Sequence, residues 1–123
     1  MIRYLIADDH ELYREGLMHF LSRQPGLQLL GEAEDGKELL EKSLEYNPDL
    51  IITDISMPGM DGIAATRELL AQLPEIRIIG LSMHQDESLV VEMLEAGARG
   101  YLLKNADKHD ILEAIEEIGR AHV

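Results

Sequence analysis

The sequence contains no cysteine, which excludes disulfides, thiolate metal ligands and cysteine nucleophiles. No apolar run approaches the roughly 20 residues needed to cross a bilayer. The apolar start of the chain is too short for a signal peptide and ends in two acids, Asp8 and Asp9. We therefore expect a soluble, single-domain protein with no membrane partner, and a reducing cytoplasm suits a chain without cysteine.

Basic residues are also scarce. The chain has 11 Lys and Arg against 24 Asp and Glu, which gives a net charge of −13. Nucleic-acid binding depends largely on cations that neutralise phosphates, so this composition argues against DNA or RNA binding by the chain itself. An acidic protein of this kind instead attracts cations or basic partner surfaces.

What the sequence does contain is a regular alternation of short apolar runs and longer stretches of helical period. The apolar runs predict strands over 2–7, 27–33, 50–53, 76–81 and 101–103. The stretches between them place apolar residues at helical spacing, beginning with Leu12, Leu17, Phe20 and Leu21, then Leu39, Leu40 and Leu44. Asp86 is a predicted helix cap, and Gly97 a predicted helix end. Five βα repeats predict an α/β fold with an open, doubly wound sheet of five parallel strands, because the chain is too short for an eight-stranded barrel.

Side chains capable of chemistry follow four of the predicted strands, namely Asp8 and Asp9, Asp54, Ser82, and Lys104. Ligands bind at the carboxyl ends of strands in such sheets, so we expect these residues to converge. Two carboxylates about 4 Å apart repel by about 4 kcal/mol at an effective dielectric near 20, and a divalent cation with one lysine offsets this. Oxygen ligands without cysteine or clustered histidine favour Mg²⁺.

Asp54 is the best candidate among these acids for a nucleophile that takes a phosphoryl group. Mg²⁺ and Lys104 would stabilise charge on the transferring group, and the Ser82 hydroxyl could donate to a phosphoryl oxygen.

These residues resemble those of a response-regulator receiver domain over essentially the whole chain. The matching positions are Asp8–Asp9, Asp54 within the segment 54–62, Ser82, Tyr101 and Lys104. The segments 8–10, 13–17, 81–84 and 97–101 look like the subclass whose full-length members carry a C-terminal LuxR-type helix-turn-helix, the NarL/FixJ-like regulators. The resemblance implies the flavodoxin-like strand order 2-1-3-4-5, a receiver domain over 1–123, and an output domain outside this chain.

The same resemblance assigns a role to each acid. Asp54 is the phosphoacceptor and a Mg²⁺ ligand, Asp9 and the backbone carbonyl of Ser56 bind Mg²⁺ directly, and Asp8 assists through water. The implied phosphodonor is a phosphohistidine on a sensor histidine kinase. The chain would accept and slowly lose its own phosphoryl group and would not turn over external substrates.

The resemblance also implies a switch. Ser82 and Lys104 would hold the phosphoryl group, and Tyr101 would turn inward when Ser82 moves. Expected consequences are a homodimer that depends on phosphorylation and DNA binding only through the output domain. Many receivers have a cis proline after the active lysine; here Asn105 follows Lys104, and a cis bond without proline costs about 3 kcal/mol, so we expect it to be trans.

Each residue also has a structural interpretation on its own, such as a helix cap for Ser82 or a solvated charge for Lys104. His10 and His84 flank the site without ligand spacing and are interpreted as non-ligands, although Ser56 and His84 sit where the family tunes phosphoryl lifetime. An alternative function is a phosphatase of the haloacid-dehalogenase type, which also uses an Asp nucleophile and Mg²⁺. That class needs a second Asp two residues after the nucleophile, where this chain has Ser56, and its nucleophile follows the first strand.

Two further alternatives are a flavin-binding module and a receiver that serves only as a binding surface. A flavin site needs a Ser/Thr- and Gly-rich loop after the first strand, where this chain has the acidic segment 8–11. A dedicated binding surface would not require the acceptor positions, all of which are filled here.

Overall fold

A computed structural model describes residues 1–83 and 86–120 of the chain. Within these residues, five strands alternate with five helices. In chain order the elements are β1 (Ile2–Ala7), α1 (Glu11–Ser22), β2 (Leu27–Ala33), α2 (Gly36–Tyr46), β3 (Leu50–Asp54), α3 (Gly62–Gln72), β4 (Arg77–Ser82), α4 (Glu87–Glu95), β5 (Gly100–Leu103) and α5 (Lys108–Gly119). The predicted strands are confirmed to within a residue at each end.

The sheet has the order β2-β1-β3-β4-β5 and every neighbouring pair is parallel. The predicted doubly wound fold and its strand order are therefore confirmed. The chain winds in one direction from β1 to β2 and in the other from β3 onward, so a crevice opens between the carboxyl ends of β1 and β3.

Helices cover both faces of the sheet and create two separate cores. One core joins the sheet to α2, α3 and α4 through residues such as Leu39, Leu69 and Met93. The other joins it to α1 and α5, where Leu17 and Ile115 are buried. Every residue of β3 is buried, because successive side chains of this central strand enter opposite cores.

Polar caps fix the starts of four helices. The side chains of Asp35, Asp61, Asp86 and Asp107 each accept a hydrogen bond from a backbone N–H in the first turn of α2, α3, α4 and α5. Gly97, at φ 118, follows the end of α4. The predicted cap at Asp86 and the predicted helix end at Gly97 are both confirmed.

Two of the leucines at helical spacing lie at the surface. Leu12 of α1 is 85% exposed and Leu44 of α2 is 46% exposed. The buried face of α1 is formed by Arg14, Leu17 and Leu21, which follow one another at intervals of three and four residues, and Leu12 falls outside that register. The apolar residues of α1 therefore do not all lie on its buried face.

Two remaining expectations concern Asn105 and membrane spans. No peptide bond in the described ranges 1–83 and 86–120 is cis, so the bond between Lys104 and Asn105 is trans as predicted. No described helix combines the length and apolar character needed to span a membrane.

Candidate functional site

Four side chains that carry a carboxylate, hydroxyl or ammonium group meet at the carboxyl edge of the sheet. Asp54 is the last residue of β3 and Ser82 the last of β4, while Asp8 directly follows β1 and Lys104 directly follows β5. The backbone ladder continues into this region, where the Lys104 N–H donates to the Ser82 carbonyl at 2.8 Å. The strand ends thus bring together the residues that the sequence predicted would converge.

A buried ion-pair cluster forms the centre of the site. Lys104 Nζ lies 2.7 Å from Asp8 Oδ2 and 3.0 Å from Asp54 Oδ2. All three side chains are buried, Asp8 completely. The ring of Tyr13 lies beside the ammonium, 5.1 Å from Nζ to the ring centroid. These contacts hold Lys104 against both acids, since separating them would leave a buried charge without compensation.

The environment of Asp54 disfavours its charged form. Burial raises the pKa of Asp54 to about 6, and the negative charge of Asp8 adds to the effect. The hydrogen bond and positive charge of Lys104 act in the opposite direction, as does the Ser56 N–H, which donates to Asp54 Oδ1 at 3.2 Å. A further cation beside Asp54 would favour the ionised carboxylate.

The residues around this carboxylate suit a hard divalent cation. Asp8, Asp9, His10 and Asp54 each offer a ligand atom, and these atoms all lie within 4.8 Å of one another. Three of the four supply carboxylate oxygen, the donor that Mg²⁺ prefers. Asp9 is partly exposed, so its carboxylate is accessible at the mouth of the site. A cleft of about 310 Å³ opens beside Asp54, lined by His10, Asp54, Ser56, Ser82, Met83, Asp86 and Leu89.

His10, which flanks the site in the sequence, lies in direct contact with its charged side chains. Its Nδ1 is 3.1 Å from Asp8 Oδ1, 3.6 Å from oxygens of Asp9 and Asp54, and 2.8 Å from Lys104 Nζ. Ligand spacing along the sequence could not reveal this, because the contacts arise from the turn that joins β1 to α1. Its interpretation as a non-ligand stays a prediction, and His84 lies outside the described residues.

Arg14 is a residue that the sequence analysis missed. Its side chain is 5% exposed, Nε lies 2.7 Å from Glu32 Oε1, and Nη1 donates to the backbone carbonyl of Asp8. Burial alone would lower the pKa of Arg14, but the hydrogen bond and charge of Glu32 outweigh it and raise the pKa overall. The available signal was its spacing from Leu17 and Leu21, which puts a cation on the buried face of α1.

Ser82 and Tyr101 lie on neighbouring strands. The Ser82 side chain is buried at the wall of the cleft that contains Asp54. Tyr101 is 36% exposed on β5, paired in register with Gly80 of β4. The aromatic ring is therefore at the surface in this conformation.

The sequence and the fold are similar to those of known proteins. Residues 4–116 match the family described as the response regulator receiver domain. The transcriptional regulatory protein DegU of Brevibacillus brevis is 40% identical over 119 residues, which cover 97% of this chain and 50% of DegU. The transcriptional regulatory protein LiaR of Bacillus subtilis is 44% identical over 115 residues, covering 94% of this chain and 54% of LiaR.

A solved structure shows the same likeness. The receiver domain of the putative response regulator NarL from Mycobacterium tuberculosis superposes with a TM-score of 0.93 at 32% identity, over 98% of both chains. The present chain spans about half the length of the curated relatives it matches. It belongs to the receiver-domain family of two-component response regulators, in the LuxR-type subclass. These matches give no support to the phosphatase alternative.

Proposed function

We propose that this receiver accepts a phosphoryl group on Asp54 from the phosphohistidine of a sensor histidine kinase, in a Mg²⁺-dependent transfer. The main support is the placement of the Asp54 carboxylate, buried at the open edge of the sheet with Lys104 on one oxygen and the Ser56 N–H on the other. An Asp54 oxygen would attack phosphorus while the bond from phosphorus to the donor imidazole breaks, its electron pair returning to nitrogen. The product is an acyl phosphate.

Three acids and one carbonyl are proposed to hold the metal. Asp9, Asp54 and the Ser56 carbonyl would bind Mg²⁺ directly, and Asp8 would act through water. The burial of Asp8 and its ion pair with Lys104 support an indirect role for Asp8, while the exposure of Asp9 supports a direct one. Bound Mg²⁺ would offset the charge of the acids and of the phosphoryl oxygens.

Ser82, Lys104 and Tyr101 are the proposed switch. With a phosphoryl group on Asp54, the Ser82 hydroxyl would donate to one of its oxygens and Lys104 would pair with another. Tyr101 would then leave the surface and fill the space near Ser82. The contacts of Ser82 and Lys104 must be better formed in the active state, since a modification shifts an equilibrium only through its differential interaction with the two states.

Two surfaces are candidates for output. The face of α4, β5 and α5 exposes Val91, Leu94 and Tyr101. The α1 surface exposes Leu12 beside a cleft of about 250 Å³ between α1 and α5. We expect one of these surfaces to support a phosphorylation-dependent homodimer or contact with a DNA-binding output domain outside this chain.

The greater length of the curated relatives supports such an output domain, through which alone DNA would be bound. A cytoplasmic location, and the lack of turnover on external substrates, follow from the proposed role as a signalling module.

Intact-mass spectrometry with acetyl phosphate and Mg²⁺ tests the acceptor. The wild-type chain should gain one phosphoryl group that hydroxylamine removes, and Asp54→Ala should gain none because the attacking oxygen is gone. Asp110→Ala, which removes an exposed acid from α5, is the matched control and should be labelled normally. Labelling of Asp54→Ala at another residue, or sustained turnover of para-nitrophenyl phosphate, would contradict the proposal.

A further inference from the structure

Arg14 links three parts of the chain at one end of the sheet. It projects from the first turns of α1, pairs with Glu32 on the edge strand β2, and donates through Nη1 to the carbonyl of Asp8. Glu34 adds a longer contact, 3.6 Å from Nη2. The guanidinium is nearly inaccessible to solvent, so its hydrogen-bonding groups must be satisfied by these neighbours.

The carbonyl that Arg14 holds belongs to the peptide bond that joins Asp8 to Asp9. The same stretch is held on its other side, where the Asp8 N–H donates to the Ala33 carbonyl at 3.0 Å. A peptide group is planar, so fixing its carbonyl fixes the direction in which the next residue leaves the chain. The orientation of the Asp9 backbone, and with it the reach of the Asp9 carboxylate, therefore depends on Arg14.

We propose that Arg14 is a positioning residue for Mg²⁺, acting through the Asp8–Asp9 peptide; this inference rests on the proposed function of the site. The planar arrangement of the guanidinium donors is as important for this role as the positive charge. A guanidinium can contact Glu32 and the Asp8 carbonyl at once, because its donors diverge in a fixed plane. A lysine ammonium on its flexible stem lacks that planar fork.

The loss of the positive charge of Arg14 and the loss of its hydrogen bond to the Asp8 carbonyl should change the affinity for Mg²⁺ in opposite directions. Removing a cation near an acidic site would, through the electric field alone, strengthen the binding of a divalent cation. Releasing the Asp8–Asp9 peptide would weaken it, since groups that orient metal ligands commonly contribute roughly 10-fold to 100-fold in affinity. The sign of the change thus separates positioning from electrostatics.

Isothermal titration calorimetry with MgCl₂ measures this sign, with circular dichroism to verify that each variant is folded. Arg14→Gln and Arg14→Lys should each bind Mg²⁺ roughly 10-fold more weakly than wild type. Glu32→Gln should weaken binding more than Glu34→Gln, a matched control that removes the same charge from a residue 71% exposed. In ¹H–¹⁵N spectra, the Mg²⁺-induced shift of the Asp9 amide should shrink in both Arg14 variants.

The outcomes separate the two proposals. If the wild-type chain binds no Mg²⁺, the proposed metal site and this inference both fail. If the wild type binds Mg²⁺ and Arg14→Gln binds it equally or more tightly, the positioning role alone is overturned. Should Arg14→Gln not fold, Arg14→Lys decides the question, and wild-type affinity in that variant would overturn the role.

Discussion

Asp8 and Asp9 are adjacent in the chain but differ in environment. Asp8 is completely buried against Lys104, whereas the Asp9 side chain is 34% exposed at the mouth of the site. A direct metal ligand must be accessible to the ion, as Asp9 is. A buried acid that is paired with lysine, such as Asp8, also contributes to the stability of the fold. The two acids should therefore respond differently to the same substitution.

Asp9→Ala should weaken Mg²⁺ binding far more than Asp8→Ala, because only Asp9 is expected to lose a direct ligand. Asp8→Ala should instead lower the free energy of unfolding more than Asp9→Ala, since it leaves Lys104 buried with one partner fewer. Calorimetric Mg²⁺ titration and urea denaturation measure the two effects. Equal losses of Mg²⁺ affinity in the two variants would contradict this division.

Tyr4 carries a buried hydroxyl at the centre of the sheet. The residue is 1% exposed, and its hydroxyl has no hydrogen-bond partner among the residues that the structure describes. Burial raises the pKa of Tyr4 from 10.0 to about 12. The folded chain therefore keeps this proton to higher pH than the unfolded chain, and the corresponding stability is present below pH 10 and lost as the pH rises towards 12.

Tyr4→Phe should leave stability near neutral pH unchanged or raise it by about 1 kcal/mol, because a desolvated hydroxyl is removed and the ring is kept. The variant should also lose less stability in alkaline solution than the wild type. Tyr13 retains its own alkaline dependence, since burial, Asp8 and Asp54 raise its pKa to about 12 as well. Urea denaturation at a series of pH values tests both effects. A large loss of stability at neutral pH would mean that the Tyr4 hydroxyl makes a hydrogen bond not found among residues 1–83 and 86–120.

At the level of single residues, the sequence predicts which side chains meet when each of them lies at the end of a strand. Asp54 and Ser82 could be predicted to meet because each terminates a buried apolar run. His10 and Arg14 could not, because their contacts depend on how the β1–α1 turn directs the chain and on the rotation of α1 about its axis. An apolar pattern defines that rotation only coarsely, since Leu12 is apolar and yet exposed on α1.

Among the helices, α3 begins in unusually close contact with the strand that bears the proposed phosphoacceptor. A Cβ atom added to Gly62 would lie 2.1 Å from the Asp54 carbonyl oxygen and 3.0 Å from Ile55 Cα. Both obstacles are backbone atoms, which cannot move aside as a flexible side chain can. Gly62 thus lets the first turn of α3 approach the end of β3.

Gly62→Ala should lower the free energy of unfolding by about 1–3 kcal/mol, because β3 and α3 must separate to admit the methyl group. Labelling by acetyl phosphate should slow, since the displaced backbone belongs to Asp54. Gly16→Ala is the matched control, because a Cβ there meets nothing within 4 Å. That variant should be neutral or more stable by up to about 1 kcal/mol, and equal urea midpoints for the two variants would contradict the steric explanation.

The boundaries of the elements could be predicted more closely than their packing. The β3 run is apolar and continuous because both of its faces are covered, and it was predicted to within one residue. Asp86 and Gly97 mark the two ends of α4 through local chemistry that needs no knowledge of the fold. Helical spacing does not show which apolar residues are buried: Leu44 has that spacing and is 46% exposed, as single apolar side chains on protein surfaces commonly are.

For the whole molecule, alternation of strands and helices predicts a parallel sheet but does not by itself choose the strand order. The order 2-1-3-4-5 came from the likeness to receivers, and its consequence is chemical. It places β1 and β3 side by side, so that the acids after β1 meet the acid that ends β3. The site is thus a product of topology, since Asp8 and Asp54 are brought together by strand pairing.

The charge of the whole molecule leads to the last prediction. Several of the scarce cations are already paired with acids, as Arg14 is with Glu32, Lys42 with Glu38 and Arg120 with Glu116. Lys104 is buried between Asp8 and Asp54 and is not available to the backbone phosphates of DNA. These four cations are therefore already engaged with acids of the same chain, and the net charge of −13 repels DNA. A phosphoryl group on Asp54 would make the charge more negative.

The isolated chain should consequently not bind DNA, with or without acetyl phosphate and Mg²⁺. A gel-shift experiment at low salt is the most stringent measurement, because non-specific electrostatic binding strengthens as salt is removed. A matched longer protein that includes an output domain should bind under the same conditions, which would assign the DNA contact to that domain. A shifted band with residues 1–123 alone would mean that DNA contact does not require a separate domain, whatever the state of Asp54.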